Sequence, residues 1–225
     1  MNIALIILAA GKGTRMQSEL PKVLHEVAGA PMLVHAMRAG RALDPKRTII
    51  IAGHGFEAVS AAARAEDPEV EVVRQEAQLG TGHAVDQARA ALSDFDGTVI
   101  VLYGDCPLIQ SRTLEELSAT LSDSAVSVLG FEAKDPARYG RLITDGDKLK
   151  RIVEFKDASP AERAVSLCNS GVMAASAGLL FDLLSEIDAN NASGELYLTD
   201  VIGKAVARGL PCTAVRCAER ETLGV

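Results

Sequence analysis

Tryptophan is absent from this chain of 225 residues, and only 4% of its residues are aromatic. Cysteine is scarce as well, since the four thiols occur without a CxxC pair or a nearby histidine-rich stretch. Zinc sites and small disulfide frameworks require cysteines at such short spacings. We therefore expect neither kind of site. We expect four buried thiols, at Cys106, Cys168, Cys212 and Cys217.

An excess of positive charge and any long apolar run are also lacking. The formal net charge is -7 with both signs interspersed, which does not give the electrostatic footprint of a nucleic-acid-binding protein. The first apolar run, Asn2 to Ile7, is far shorter than the about 20 residues of a membrane span. It has no basic leader, and no small-residue cleavage site follows it. We expect a cytoplasmic protein without nucleic-acid or membrane partners.

Short apolar runs alternate with segments of helical periodicity, which predicts an α/β protein with a mostly parallel sheet. Strands are predicted near 3–8, 48–52, 70–74 and 98–102, and helices near 32–42, 56–66, 82–92 and 111–121. After residue 124 the pattern becomes mixed and indicates antiparallel pieces. The elements predicted there are β-rich runs at 125–131 and 141–155, the latter broken by the turn Asp145-Gly146-Asp147, a helix near 196–208 and a strand at 212–215.

Ligands of such sheets bind at the carboxyl ends of the strands, so motifs that directly follow strands have the most weight. The first is LAAGKGTRM, Leu8 to Met16. Its two glycines let backbone N–H groups approach a polyphosphate, and its lysine, threonine and arginine add charge and a hydroxyl donor. The spacing matches neither the P-loop nor the dinucleotide fingerprint. We therefore predict a phosphate-binding loop, but not P-loop hydrolysis of a nucleotide.

Two further motifs follow predicted strands. Gln75 opens the first, and its side-chain amide offers a donor and an acceptor to the edge of a base. Asp105 lies in the second, directly after a buried strand, where its carboxylate suits Mg²⁺, a cation that prefers oxygen ligands and phosphate partners. The alternative for Asp105 is a turn or helix cap, which Pro107 behind it makes less natural.

Pro21-Lys22-Val23-Leu24 would by itself be an ordinary helix start. Combined with LAAGKGTRM, it closely resembles the two-part signature of the sugar-phosphate nucleotidyltransferases. Six more motifs occur in family order and resemble the uridylyltransferase half of the bifunctional bacterial enzymes that make UDP-N-acetylglucosamine. They are Gln75 to Ala84, Tyr103 to Asp105, Tyr139 to Arg141, Glu154 to Ala158, Asn169 to Gly171, and Gly194 to Asp200. The resemblance covers essentially the whole chain.

This resemblance implies a Rossmann-like nucleotidyltransferase fold, a mostly parallel mixed sheet flanked by helices with a small β-rich sugar-binding part. For the nucleotide it implies Leu8, Ala9, Ala10, Gly11, Gly13, Thr14, Gln75, Gly80 and Thr81. For the sugar it implies Tyr103, Gly104, Gly140, Glu154 and Asn169, although Tyr139-Gly140 could be only a turn and Asn169 to Gly171 a loop cap. It implies two catalytic residues, Arg15 on the departing β- and γ-phosphates and Lys22 on the α-phosphate, and Asp105 as the Mg²⁺ ligand.

The implied reaction transfers UMP from UTP to N-acetylglucosamine 1-phosphate and releases pyrophosphate. The alternatives are the same chemistry on another sugar 1-phosphate and a non-catalytic module that binds nucleotide sugars. The histidines at positions 25, 35, 54 and 83 share no ligand spacing, so we expect structural or solvated roles for them. We expect Asp200 to be a charge at a helix N-terminus.

The resemblance also predicts what the chain does not contain. Residues 1–225 would form the uridylyltransferase domain. The family places a second metal ligand on an asparagine shortly after a Gly-Val pair, and Gly224-Val225 are the last residues here. We therefore expect that ligand to lie outside this chain. We expect the same of a C-terminal left-handed β-helix acetyltransferase domain and the homotrimer contacts that it makes.

Overall fold

A computed structural model describes residues 2–11, 13, 16 and 18–222. The strands are β1 (Ile3–Ala9), β2 (Glu26–Val27), β3 (Ala30–Pro31), β4 (Arg47–Ala52), β5 (Glu71–Arg74), β6 (Thr98–Tyr103), β7 (Val126–Glu132), β8 (Arg141–Asp145), β9 (Lys148–Val153), β10 (Leu167–Ser176) and β11 (Cys212–Cys217). The α-helices are α1 (Met32–Arg41), α2 (Phe56–Glu66), α3 (Thr81–Asp86), α4 (Ser111–Ala119), α5 (Pro160–Arg163), α6 (Ala177–Leu184), α7 (Asp200–Ala207) and α8 (Glu219–Thr222). Short 3-10 helices occupy Lys22–Leu24 and Thr120–Ser122.

In the described part of the chain, nine strands form one sheet in the order β5-β4-β1-β6-β10-β7-β11-β9-β8, and β2 pairs with β3. The first four pair in parallel, as the βαβ alternation predicts. Strands β10 and β9 run against the others. Chain order reverses at β1, which has β4 on one side and β6 on the other, so a crevice opens at the carboxyl ends of β1 and β6. The α/β class and the mixed sheet are confirmed.

Strand β1 is buried along its whole length, because helices cover both faces of the parallel part of the sheet. Ile6 and Leu8 pack into the core on one face, and Leu5 and Ile7 pack into the core on the other. This burial explains why the run is continuously apolar instead of alternating. None of the helices in the described part of the chain combines the length and the hydropathy that crossing a membrane requires.

Two predicted helices are too long. The helix predicted at 82–92 is α-helical only as far as Asp86. In the turns that follow, N–H groups bond mostly to the carbonyl three residues earlier instead of four, as Ala88 does to Val85. Ala88 and Leu92 stay buried in these turns, so the apolar periodicity persists although the hydrogen-bonding pattern changes. The helix predicted at 196–208 begins at Asp200, which lies in its first turn as expected. Leu196 cannot join it, because its backbone N–H and carbonyl bond to the turn at residues 79–82.

The central strand β10 and the helix α6 after it are absent from the sequence prediction. Asn169 to Gly171, which we considered as a loop cap, lie inside β10. The register of β10 against β7 shifts between Asn169 and Met173, and Gly171 has a φ of +89°. A polar, glycine-containing bulge interrupts the apolar alternation by which a strand is recognised. The thiols of Cys106, Cys168 and Cys212 are buried as expected, but Cys217 is only partly buried.

The last described helix, α8, is attached to α4 by a buried hydrogen bond. The hydroxyl of Thr113 donates to Oε2 of Glu221 at 2.6 Å, and both residues are buried. The carbonyl of Thr222 lies 3.7 Å from Sγ of Cys106, directly after Asp105. The end of the described chain therefore packs beside the Asp105 loop.

Thr113→Val keeps the shape of the side chain and removes the donor to Glu221. We expect the free energy of unfolding to fall by about 1–3 kcal/mol, because a buried carboxylate oxygen loses its partner. Urea unfolding followed by circular dichroism measures this, and Thr113→Ser, which keeps the hydroxyl, serves as the control. Equal midpoints and slopes for wild type and Thr113→Val would show that this bond does not hold α8.

Candidate active site

Three loops meet at the carboxyl ends of the parallel strands and enclose a cavity of about 430 Å³. Each loop follows one of the strands β1, β5 and β6, and because the four strands β5, β4, β1 and β6 run parallel, these loops lie at the same edge of the sheet. This cavity is called the nucleotide cavity after the prediction, because most of the residues expected to bind the nucleotide line it: Leu8, Ala9, Ala10, Gly11, Gly13, Gln75, Gly80 and Thr81. Lys22, Tyr103 and Asp105 line it too. Thr14 and Arg15, from the same prediction, lie outside the described residues.

Lys22 and Asp105 form an ion pair in the wall of this cavity. The Nζ of Lys22 donates to Oδ2 of Asp105 at 2.5 Å, and the two side chains are 16% and 25% exposed. Gly13 permits the approach of Lys22, because a Cβ at Gly13 would lie 2.7 Å from the Cβ of Lys22. The pair places a flexible cation and a carboxylate on the same side of the pocket.

The turn at Gly80 joins the nucleotide cavity to the segment before α7. Gly80 has a φ of +114°, and a Cβ there would lie 2.5 Å from the carbonyl oxygen of Leu196. The N–H of Leu196 donates to the carbonyl of Leu79, and the N–H of Gly82 donates to the carbonyl of Leu196, each at 2.8 Å. Only glycine tolerates both that conformation and that closeness.

A second cavity, of about 320 Å³, is lined by four of the residues expected to bind the sugar: Tyr103, Gly140, Glu154 and Asn169. These four come from separate motifs and meet here. The N–H of Asn169 donates to the carbonyl of Gly140 at 2.8 Å. A Cβ at Gly140 would lie 3.3 Å from Oε2 of Glu154, so the glycine leaves room for the carboxylate.

Thr81, Tyr103 and Glu195 line both cavities. Thr81 also connects α3 to the segment before α7, since its Oγ1 accepts the N–H of Leu198 at 3.0 Å. The ring of Tyr103 packs on the backbone of Gly171, where a Cβ would come within 2.5 Å of it. Burial and neighbouring carboxylates raise the pKa of Tyr103, so its phenol keeps its proton at physiological pH.

Two opposing effects act on the pKa of Glu154. Burial, with acidic neighbours such as Asp200 and Asp157, raises its pKa above the ordinary range. The hydroxyl of Thr199 opposes this by donating to Oε1 at 3.1 Å. A partly desolvated carboxyl group aimed into a small cavity is suited to bonding the hydroxyl or amide groups of a sugar.

Gly104 is the described member of the predicted set that lines neither cavity. Its N–H donates to the carbonyl of Leu8 at 2.9 Å, and a Cβ would lie 3.2 to 3.3 Å from Leu8, Leu33 and Val23. It lies beneath the pocket, where its small size lets the loop after β6 pack against β1. A direct contact of Gly104 with the sugar stays a prediction.

Several lining residues were missed by sequence reasoning. Gln78 lines the nucleotide cavity, and its side chain donates to the carbonyl of Ala10 at 2.6 Å. Glu195, Tyr197 and Thr199 line the second cavity although their segment suggested only a turn and a helix start. The motif Gly194 to Asp200 could have indicated them, because it resembles a motif of the family. A motif assigns a segment to the site but does not say which of its side chains line the cavity.

Arg141 supports the loop that closes the second cavity. This side chain is 2% exposed, and its guanidinium group lies 6.0 Å from the ring of Phe155. It donates to four backbone carbonyls, those of Pro136, Ala137, Tyr139 and Arg163. Among them, Ala137 has a φ of +38°, a conformation unusual for a residue other than glycine. The planar fork of donors holds the loop in place without a carboxylate partner.

Residues 5–176 match the family model of the MobA-like NTP transferase domain. The bifunctional protein GlmU of Ruegeria pomeroyi is 62% identical over the whole of this chain, which covers 50% of that relative. GlmU of one Cereibacter sphaeroides strain is 58% identical over 99% of this chain, and the match covers 49% of that protein. The chain thus spans about half the length of the curated relatives it matches.

Solved structures with the same fold have lower sequence identity. A UDP-glucose pyrophosphorylase in complex with UDP-glucose superposes with a TM-score of 0.79 at 18% identity, covering 96% of this chain and 91% of that one. An inositol-1-phosphate CTP transferase from T. maritima gives 0.74 at 15% identity, with coverages of 96% and 86%. These two likenesses are evidence for the fold alone.

Arg141→Met keeps most of the side-chain length and removes every donor to the loop. We expect trypsin to cut after the exposed Lys134 or Arg138 at least about tenfold faster, since opening the loop costs less once its carbonyls have lost their partners. Timed digestion with mass spectrometry measures the rate. Arg112→Met, which changes an exposed arginine on α4, is the control. An unchanged cleavage rate in folded Arg141→Met would contradict the supporting role.

Proposed function

Because this chain belongs to the MobA-like NTP transferase domain family and is a nucleotidyltransferase, we propose that it transfers UMP from UTP to N-acetylglucosamine 1-phosphate. The products would be UDP-N-acetylglucosamine and pyrophosphate. Identities of 51% to 62% to the GlmU proteins support this choice of reaction over the rest of the family. The proposal extends only to this half of those proteins.

The observation that carries the proposal is the common wall of the two cavities. Thr81, Tyr103 and Glu195 line both, so a nucleotide in one cavity and a sugar phosphate in the other would lie side by side. A transfer reaction needs its two substrates in contact, since positioning provides much of the acceleration. A site that only binds a finished nucleotide sugar would not need Lys22 and Asp105 beside the phosphate loop.

The proposed chemistry is in-line attack by a phosphate oxygen of the sugar phosphate on the α-phosphorus of UTP. Pyrophosphate departs with the electrons of the bond that breaks. Both reactants are anions, and the nucleophile is already deprotonated, so no side chain has to remove a proton. The work of this chain is to hold the two phosphates together and to offset their repulsion. Lys22 would stabilise the charge that accumulates at the α-phosphate, and Arg15, from the same prediction, would hold the departing phosphates.

A divalent metal suits the donor set of the site. Among the described residues, no group of three or more His, Cys, Asp or Glu side chains could form a metal centre, and Asp105 is a single carboxylate in the pocket wall. Mg²⁺ is commonly held by one or two carboxylates together with substrate phosphates and water, so one protein ligand here fits it. Held by Asp105, Mg²⁺ would supply positive charge that offsets the charge of the phosphates. Lys22 donates to this carboxylate and places a positive charge beside it.

N-Acetylglucosamine 1-phosphate is the proposed acceptor because of the second cavity. Glu154 offers acceptor oxygens, and the nearby amide of Asn169 offers both donors and an acceptor, the groups that sugar hydroxyls and an acetamido substituent require. In this structure Oδ1 of Asn169 accepts the N–H of Gly171 at 2.9 Å, which leaves the amide NH₂ as a donor for a ligand. Another sugar 1-phosphate would leave part of this set unpaired, at a cost in binding.

The other properties implied for the longer relatives are proposals as well. We infer that a second domain with an acetyltransferase activity and homotrimer contacts accompanies this one in the whole protein. We infer also that the protein works in the cytoplasm, where nucleoside triphosphates and sugar phosphates are available. We propose in the same way that a second metal ligand follows Gly224-Val225, on an asparagine outside this chain.

Pyrophosphate release tests the proposed reaction directly. The protein is mixed with UTP, Mg²⁺ and N-acetylglucosamine 1-phosphate, both as this chain and in a version extended past Val225. Glucose 1-phosphate replaces the acceptor in the control. We expect selective release with the acetamido sugar, greatest in the extended version. No release from either version would contradict the proposed function.

Lys22→Ala should lower kcat by about a hundredfold or more and change UTP affinity much less. The reason is that the positive charge of the lysine stabilises the transition state at the α-phosphate more than it stabilises bound UTP. Steady-state rates and UTP titration calorimetry measure the two effects. Lys46→Ala, at an exposed lysine that pairs with Asp44 away from the site, is the control. Equal losses of kcat and UTP affinity would remove the transition-state role of Lys22.

Asp105→Asn should raise the Mg²⁺ concentration needed for half-maximal activity by about tenfold or more, because an amide is a weaker ligand for a hard cation. Activity is titrated with Mg²⁺ at saturating UTP. Asp123→Asn, at an exposed position whose carboxylate contacts Ser122, controls for the loss of one negative charge. An unchanged metal requirement would exclude Asp105 as a ligand.

A further inference from the structure

Beside the second cavity, three residues of β10 lie opposite a single residue of β7. Asn169 pairs with Gly130, and the next pair in register joins Met173 to Val128. Among the pairings of the described strands, Leu129 therefore has no partner residue in β10, although it is fully buried. A buried carbonyl without a donor is costly, so a gap of this kind in a ladder requires a donor from elsewhere.

The side chain of Ser170 supplies a donor at this gap. Its hydroxyl donates to the carbonyl of Leu129 at 2.6 Å and accepts the N–H of Val172 at 3.1 Å. A hydroxyl group has a single proton to donate, so the donor of Ser170 is used inside the protein. The same group thus bonds across the gap to β7 and along the bulge of β10.

The residues on either side of Ser170 depend on the conformation of this bulge. Asn169, Ser170 and Gly171 all line the second cavity. Oδ1 of Asn169 accepts the N–H of Gly171 at 2.9 Å, and the ring of Tyr103 occupies the space that a Cβ at Gly171 would need. Gly171 has a φ of +89°, which a regular strand does not adopt. A bulge that relaxed toward a regular strand would therefore lose both contacts.

We propose that Ser170 is a positioning residue for the sugar, because its hydroxyl holds the bulge in the conformation that places Asn169 in the second cavity. The inference rests on the proposed function for the identity of the sugar ligand. Without the hydroxyl, the carbonyl of Leu129 and the N–H of Val172 each lose a partner, which lowers the cost of rearranging the bulge. Of the described residues that line the nucleotide cavity, none belongs to this bulge, so the effect falls on the sugar and not on the nucleotide.

The test compares side chains of the same shape with and without the hydroxyl. Ser170→Thr keeps the hydroxyl, Ser170→Val has the shape of threonine without it, and Ser170→Ala is the simple deletion. Titration calorimetry with UDP-N-acetylglucosamine and with UDP gives a ratio of affinities that reports the contribution of the sugar, because both ligands carry the same nucleotide. We expect this ratio to fall by about tenfold or more in Ser170→Ala and Ser170→Val. For Ser170→Thr we expect it to stay within about threefold of wild type.

Ser127→Ala is the control for a general loss of stability. Ser127 is a fully buried residue of β7 that pairs with Ala174 of β10 and accepts the hydroxyl of Thr120 away from the second cavity. Its removal should leave the ratio unchanged, and circular dichroism selects the variants that fold. In the wild type, NMR should show the N–H of Val172 protected from hydrogen exchange, which tests the inference even if a variant does not fold.

The outcomes separate this inference from the proposed function. A folded Ser170→Ala or Ser170→Val with the wild-type ratio, an equal fall in Ser127→Ala, or an unprotected N–H at Val172 would each overturn the role of Ser170. A wild type that binds UDP and UDP-N-acetylglucosamine equally would overturn it as well. If the ratio falls only in the variants without the hydroxyl but the wild type releases no pyrophosphate, the role of Ser170 stands and the proposed transfer fails.

Discussion

The reversed strand β10 is the element on which both cavities depend. It pairs with β6 on one side, with β7 on the other and with β8 at Cys168, so it joins the parallel nucleotide half of the sheet to the antiparallel pieces beyond it. Its register shifts between Asn169 and Met173, and three residues of this bulge, Asn169, Ser170 and Gly171, line the second cavity. A regular strand at this position would keep the ladder intact but would have no room for the ring of Tyr103 over Gly171.

Tyr103 illustrates how the bulge joins two parts of the site. It ends β6 in register with Leu8 of β1, so its backbone belongs to the nucleotide half. Its ring rests on Gly171 of β10 and lines both cavities. One aromatic residue therefore belongs to both the parallel and the antiparallel part of the site. The scarcity of aromatic residues in the chain is compatible with this, because the rest of the core is built from aliphatic side chains.

Sequence reasoning was most successful where one strand or one turn decides the outcome. The parallel strands and the hairpin at Gly146 are confirmed, because apolar runs and turn residues are local signals. The meeting of Gly140, Glu154 and Asn169 required the family resemblance, since it depends on how β8, β9 and β10 pair. The helix predicted at 196–208 begins too early, because the backbone of Leu196 bonds to the distant turn at residues 79–82. A pattern of side chains contains no record of a backbone partner more than a hundred residues away.

Electrostatics explains why the site has to be arranged so closely. The chain carries a formal net charge of -7, and the proposed substrates are both anions, so the general field of the protein would repel them. Attraction must then come from short-range groups: the N–H groups of the loop after β1 and the charge of Lys22. The ion pair of Lys22 with Asp105 offsets the cost of leaving either group unpaired in a half-buried wall. Arrival of a triphosphate with its cation would exchange that single pair for two, lysine with phosphate and carboxylate with metal. The same two side chains would therefore keep the local charge balanced before and after the substrate binds.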